Sequence, residues 1–355
     1  MPANPYSLTF GKEPVELVSR ASVIEEIAHA FDAEHPVQQA FLITGVCGSG
    51  KTVLMTEVCK RLRKDHDWII VELNPERDML EALASKLNSE KRLAQIFKSA
   101  KIDLSFFGFG VSIGDANPIT DIEIALARML ESLSKHGKKV LVAIDEAAST
   151  ANMRTFASAF QILVRQDLPV FLLMTGLFAN IRRLQDEKTL TFLYRAPRIE
   201  MRPLNIGAIA ANYQRNFKID DEQALAMAKM TKGYSFGFQV LGYFAWEHGG
   251  MTEGALADFK QYLDDYAYEK IWAELSENDR KLAYGIARSQ TGKVADVRSL
   301  LQWSSNQINP YRDRLVKSGL VDGSEHGYMR FTLPLFGRYV IEHYEMPEGS
   351  WPAEG

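Results

Sequence analysis

The stretch 41-FLITGVCGSGKTVLMTEVCKRL-62 decides the fold. An apolar run enters a glycine-rich turn, followed by a Lys-Thr pair and an amphipathic segment. Gly45, Gly48 and Gly50 clear side chains from the turn and permit positive-φ backbone, so that its N–H groups can wrap an anion. The pattern G-x-x-x-x-G-K-[ST] fits a chain of phosphates. Lys51 is placed to reach the β- and γ-phosphates, and the Thr52 hydroxyl to ligate Mg²⁺. The helix beginning near residue 50 adds the positive end of its dipole. Val46, Cys47 and Ser49 within the turn, and Val53 after it, belong to the same phosphate-holding segment. The flanks agree with this reading, since 40-AFLIT-44 has the pattern of a short buried strand and 51-KTVLMTEVCKRLRK-64 that of a helix.

A chain of 355 residues, 46% of them hydrophobic, can bury a large core and divides into two or three domains. Its formal charge of -4 gives no global attraction to nucleic acid, so any DNA contact needs a local patch. Two cysteines, Cys47 and Cys59, make no disulfide framework and suit a reducing compartment. No segment is long and apolar enough to span a bilayer, and 1-MPANPYSLTFGKEPVE-16 lacks the basic-then-apolar order of a signal peptide. The expectation is a cytoplasmic protein without membrane partners. The histidines are scattered and form no metal-ligand cluster.

Hydrolysis of a bound nucleotide requires a second strand that delivers carboxylates. The run 138-KKVLVAIDEAAST-150 provides it, ending in Asp145 near the metal and Glu146 as a base that orients the attacking water. A third run, 169-PVFLLMTG-176, carries Thr175 at its polar end, beside the other two motif strands and within reach of the γ-phosphate or the water. Strands fall near 40–44, 68–73, 139–144, 169–174 and 197–201. Helical stretches such as 121-DIEIALARMLESLSK-135 and 151-ANMRTFASAFQILVRQ-166 separate them. Alternation of this kind makes an α/β fold with a parallel sheet covered on both faces and the ligand at the carboxyl ends of the strands.

Taken together, these motifs resemble the AAA+ superfamily of P-loop ATPases, in particular the archaeal-type ATPases and the initiator ATPases of the origin-recognition class. The segment 14-PVELVSRASVIEEI-27 is similar to the stretch that precedes the P-loop and packs on the adenine, with Leu17, Val18 and Arg20 at its positions and Ser19 replacing the usual glycine. The segment 233-GYSFGFQVLGYFAW-246 is similar to the lid helix G-Y-P-x-x-x-Q-x-x-G of archaeal-type ATPases. The resemblance implies ATP and Mg²⁺ as ligands, with ATP between core and lid, and an arginine from a neighbouring subunit. Arg195 is the candidate for that arginine, with Arg198 as the alternative. Where many relatives set an arginine against the γ-phosphate, this lid offers Gln239. The expected domains are a nucleotide-binding core (1–204), a helical lid (205–270), a winged helix-turn-helix (271–345) and a tail (346–355).

Alternation of Ile102, Leu104 and Phe106, then Phe109, Val111 and Ile113, predicts a β-hairpin over 101–114. Towards the C-terminus, helical patterns over 276–290, 294–303 and 305–321 and a glycine turn in 320-LVDGSEHGYMRFTL-333 compose a winged helix. Asn309, Arg312, Arg314, Lys317 and, in the wing, Arg330 are the candidate DNA contacts. From residue 293 to 338, Lys293, Arg298, Arg312, Arg314, Lys317, Arg330 and Arg338 outnumber Asp296, Asp313, Asp322 and Glu325 only modestly. Salt-sensitive binding of double-stranded DNA follows from such a footprint. Winged helices also serve as protein–protein modules. Two classes therefore stay open, an ATPase that assembles on DNA or a nucleoprotein, and a nucleotide-dependent signalling switch of the STAND kind that acts on a protein or by self-assembly.

Overall fold

The computed structural model describes residues 3–9, 14–109, 118–188 and 190–344. Two compact units emerge: Ser19–Thr44 with Lys51–Glu200, and Met1–Val18 with Gly45–Gly50 and Met201–Gly355. They are called here the sheet unit and the helical unit.

In the sheet unit, β1 (Ala40–Thr44), β2 (Trp68–Leu73), β3 (Lys139–Ile144), β4 (Val170–Gly176) and β5 (Arg198–Glu200) form one sheet in the order β2-β3-β4-β1-β5. All pairs are parallel. Helices α1 (Ala21–Asp32) and α2 (Lys51–Arg63) flank β1, while α3 (Met79–Ser89), α4 (Ala94–Ser99) and α5 (Ile122–Ser134) lie between β2 and β3 in the chain. Next come α6 (Ala151–Arg165), then α7 (Phe178–Gln185) and α8 (Thr191–Arg195) before β5. Every residue of β1 and of β4 is buried, as expected for strands covered on both faces. Crossovers start at side-chain caps: Asp121 accepts from Ile124 N at α5, and Thr150 from Met153 N at α6. At the amino ends of the strands, Trp68 and Phe171 meet edge to face at 4.9 Å, and the Trp68 indole donates to Asp32 at 2.7 Å. Aromatic packing closes that end, which leaves the carboxyl ends for chemistry. There β4 runs between β3 and β1, pairing Ile144 with Met174 and Ile43 with Thr175.

The predicted hairpin is corrected where it can be seen. Ser105–Phe107 is a single 3₁₀ turn ending at Gly108 with φ 74°, and Asp103, wholly buried, accepts from Ser105 N at 2.9 Å. Ile102 and Leu104 are buried while Phe106 stands 62% exposed, so the alternation reflects a turning loop rather than a strand. Positions 110–114, including Val111 and Ile113, lie outside the described residues, as does the tail at 346–355.

The helical unit contains α9 (Ile206–Phe217), α10 (Asp221–Met230), α11 (Ser235–Glu247) and α12 (Glu253–Leu263), the lid helices. A π-helical turn, Asp264–Tyr268, joins α12 to α13 (Glu269–Glu274). After it come α14 (Glu277–Arg288), α15 (Val294–Leu301), α16 (Ser305–Lys317), the antiparallel pair β6 (Val321–Asp322) and β7 (Arg330–Phe331), and α17 (Phe336–His343). Three helices with a two-stranded wing fit a winged helix. The π turn is held against this part, since Tyr268 Oη donates to Pro334 O and Arg338 donates to Asp264 Oδ1 at 2.7 Å. No described helix is long and apolar enough to cross a membrane.

Candidate active site

The sheet unit brings together the polar ends of β3 and β4 and the start of α2. Lys51 and Thr52 open α2, with Lys51 buried. Thr52 Oγ1 donates to Asp145 Oδ2 at 2.8 Å, and Thr175 Oγ1 donates to Asp145 Oδ1. Asp145 Oδ1 also accepts from Glu146 N at 3.0 Å. The carboxylate of Asp145 is thus fixed by donors from α2, β4 and its own strand end. Glu146 is exposed and sits at φ 53°, a left-handed backbone that residues other than glycine adopt sparingly. Thr52 and Asp145 present adjacent hard oxygen donors, a set that suits Mg²⁺ completed by phosphate and water oxygens. Val53 follows in α2, half-buried.

The candidate arginines separate by environment. Arg195 ends α8, is exposed, and makes no ion pair among the described residues. Arg198 lies over the Phe178 ring at 4.9 Å and pairs with Glu200 at 3.2 Å, so its guanidinium is engaged within its own unit. Arg20 precedes α1, and burial lowers its guanidinium below the ordinary value.

In the helical unit the P-loop segment Gly45–Gly50 is gripped by the start of α11. Tyr234 Oη donates to Cys47 O at 2.7 Å, Ser235 Oγ to Ser49 O at 2.9 Å, and Phe236 N to Gly48 O at 3.0 Å. Three carbonyls of the loop are thus turned to α11. Gly48 has φ 72°, and a Cβ there would collide with the Tyr234 hydroxyl and lie 2.8 Å from Phe236 Cβ. Glycine is required both by the backbone and by the close approach. Ser49 Oγ is buried without a hydrogen-bond partner among the described residues, and Val46 and Cys47 pack on the apolar cluster of this unit. Burial holds the Tyr234 phenol well above its ordinary value, which keeps it a donor. Sequence reasoning quoted Tyr234 and Ser235 in the lid motif without giving them a role; the Gly-Tyr pair at the head of a helix was the available signal.

Leu17 and Val18 are half-buried, Val18 against the same cluster. The Gln239 amide does not stand open. Its Oε1 accepts from Ser7 N at 3.0 Å and its Nε2 donates to Glu16 O at 2.7 Å.

The winged-helix candidates are dispersed. Helix α16 starts at Ser304, whose hydroxyl and backbone exchange bonds with Gln307, so Asn309 is no cap and Pro310 lies inside the helix. Asn309 and Lys317 are exposed on it. Arg314 is turned back onto Asp279 at 2.8 Å, a carboxylate only 3% exposed, and lies over the Tyr311 ring. Arg312 is half-buried, its Nε without a hydrogen-bond partner among the described residues. Arg330 pairs with Glu325 at 2.8 Å. Of the cationic candidates, Lys317 is the one fully offered to solvent without an ion pair among the described residues.

Comparison with known proteins follows this geometry. Residues 17–167 match the family described as an ATPase domain predominantly from Archaea, and residues 265–340 match one described as a domain of unknown function. No curated protein matches. Among solved structures, the Walker-type ATPase PABY2304 of Pyrococcus abyssi is 14% identical with a TM-score of 0.64, over 92% of this chain and 96% of that one. The ORC2 protein of Aeropyrum pernix, solved as ADPNP-ADP complexes, is 14% identical with a TM-score of 0.56, over 94% and 96%. At such identity these structures establish a shared fold. Residues 17–167 are thus similar to an ATPase domain found predominantly in Archaea, on a fold that most of the chain shares with these two structures.

Proposed function

We propose that this ATPase is a nucleotide-dependent switch whose winged helix presents the nucleotide state to a protein partner. Lys51 and the N–H groups of Gly45–Gly50 hold the phosphates, with Val46, Cys47, Ser49 and Val53 in the same segment. Thr52 and Asp145 hold Mg²⁺, which would supply charge neutralisation on the phosphate oxygens. Glu146 orients the attacking water, and Thr175 keeps Asp145 in place through its hydroxyl. Arg195 reaches a neighbouring copy's site, as its exposure and lack of an ion pair favour it over Arg198.

One observation carries the switch: the turn that grips the P-loop also touches the wing. Tyr234, Ser235 and Phe236 bond to P-loop carbonyls, while the neighbouring Lys232 donates to Phe331 O of β7 at 3.1 Å. A change in the P-loop on nucleotide binding therefore acts on residues two positions from a wing contact. A protein partner is favoured because Arg314 and Arg330 are spent on intramolecular carboxylates and Asp313 shares the exposed side of α16. The exposed Asn306, Asn309 and Lys317 support a second reading, contact with double-stranded DNA.

Amide exchange across residues 271–344 of a Glu146→Gln protein tests the switch. Protection at Thr332 and the wing is expected to differ between ATP and ADP, and identical exchange would refute the relay. Short duplex DNA titrated at low salt decides the partner, with no shift expected in either state. A salt-sensitive shift would favour DNA instead.

A further inference from the structure

The lid motif of this chain ends in Gln239 and Gly242, one helical turn apart on α11 and so on one face. Both are accounted for by the chain's own beginning. Tyr6 is 3% exposed, and its ring stacks on Phe217 at 5.8 Å and meets Phe238 edge-on at 5.7 Å. A Cβ on Gly242 would lie 2.5 Å from a Tyr6 ring carbon, so glycine is what admits the ring. Tyr6 Oη donates to Asn212 Oδ1 at 2.9 Å, and Asn212 Nδ2 donates onward to Glu16 Oε2 at 2.5 Å. Gln239 closes the arrangement, with one end of its amide on Ser7 N and the other on Glu16 O. The side chain has thus used an acceptor and a donor on two separate stretches of the N-terminal segment.

We infer that Gln239 is a positioning residue for the nucleotide's base rather than a group on its phosphates, and that residues 4–7 form a strap that serves this purpose. Glu16 O is the backbone atom immediately before Leu17 and Val18. Val18 packs half-buried on the same apolar cluster as Val46 and Cys47 of the P-loop segment. A flat purine needs a half-buried apolar surface next to the loop that takes its phosphates, and these side chains compose one within a single unit. Gln239 fixes the backbone from which that surface is hung. The inference rests on the ATPase reading and adds to it which residues sense the base.

The test compares ATP with inorganic tripolyphosphate, which carries the phosphates and no base. Gln239→Ala removes one hydrogen bond to the strap and one to Glu16 O, and is expected to weaken ATP binding about tenfold, with tripolyphosphate binding within about twofold of wild type. Tyr6→Ala, which changes no residue of α11, is expected to give the same pattern. Equal losses for both probes would place Gln239 on the phosphates or the loop and overturn the inference. Unchanged ATP affinity in both variants would also overturn it. A wild-type protein that bound neither probe would instead remove the ATPase reading on which the inference stands.

Discussion

The two units hold their polar groups in different ways. In the sheet unit the interior is aliphatic and phenylalanine-rich, register comes from the strand ladder, and the polar groups gather at the carboxyl ends of β3 and β4. In the helical unit buried tyrosines do the joining. Tyr213 donates to Phe238 O at 2.7 Å, Tyr234 to Cys47 O at 2.7 Å, and Tyr268 to Pro334 O. Among the described residues every buried tyrosine belongs to this unit. A ladder fails as a whole, whereas single phenol-to-carbonyl bonds can be exchanged one at a time. The contrast suits a rigid catalytic frame in one unit and a responsive element in the other.

The sharpest test of that division is kinetic. Lys51→Ala is expected to abolish ATP binding, while Glu146→Gln keeps binding and lowers turnover by roughly 10²-fold or more, the scale of a positioned base. Radiolabelled ATP binding and phosphate release measure both. Mixing Glu146→Gln with Arg195→Ala should restore part of the activity, and an absence of rescue would leave Arg195 without a role across subunits.

Alkaline pH should distinguish the units next. Burial raises the phenols of Tyr6, Tyr213, Tyr234 and Tyr268 above their ordinary value. A group raised in the folded state contributes stability that is intact below its unfolded pKa and is lost as pH rises beyond it. For tyrosine that loss begins near pH ~10, at up to about 1.4 kcal/mol per pH unit for each phenol. In the sheet unit burial pushes the Cys59 thiol to about 12, a single thiol against these phenols and those of Tyr262, Tyr339 and Tyr344, which burial also raises. Amide exchange between roughly pH 9 and 11 should therefore show the helical unit weakening more steeply. Equal slopes would deny the tyrosines their part.

The smallest effect concerns the winged helix. Arg314→Ala leaves Asp279 buried with only Ser276 as partner, and is expected to lower stability by roughly 1–2 kcal/mol in a thermal melt. Lys317→Ala should leave the melting temperature unchanged. A drop for Lys317 or none for Arg314 would reverse their assignment as surface and structural residues.

Much of the sheet unit was legible in the sequence because its signals are local. Lys51 and Thr52 close a contiguous motif that starts at Gly45 in the helical unit, and Asp145 and Glu146 directly follow an apolar run. The 101–114 hairpin misled because Ile102, Leu104 and Phe106 alternate as a strand would, while Asp103 turns the chain by bonding Ser105. Gln239 and Arg314 were out of reach for another reason. Their partners, Ser7 and Glu16 in one case and Asp279 in the other, are distant in the chain, and no periodicity announces such a meeting. Helix α16 was found with its polar residues, but which of them face solvent depends on that packing.

Glu146 adds a consequence for anyone seeking a sturdier form of this protein. Its φ of 53° is a conformation in which glycine is at ease and a branched-off side chain costs about 1–2 kcal/mol. The chain keeps a carboxylate there at the expense of its own melting temperature. Random selection for thermostability should therefore return Gly or Asn at 146, and, with Glu146 as the base proposed above, the hardier variants would be those that no longer turn over ATP.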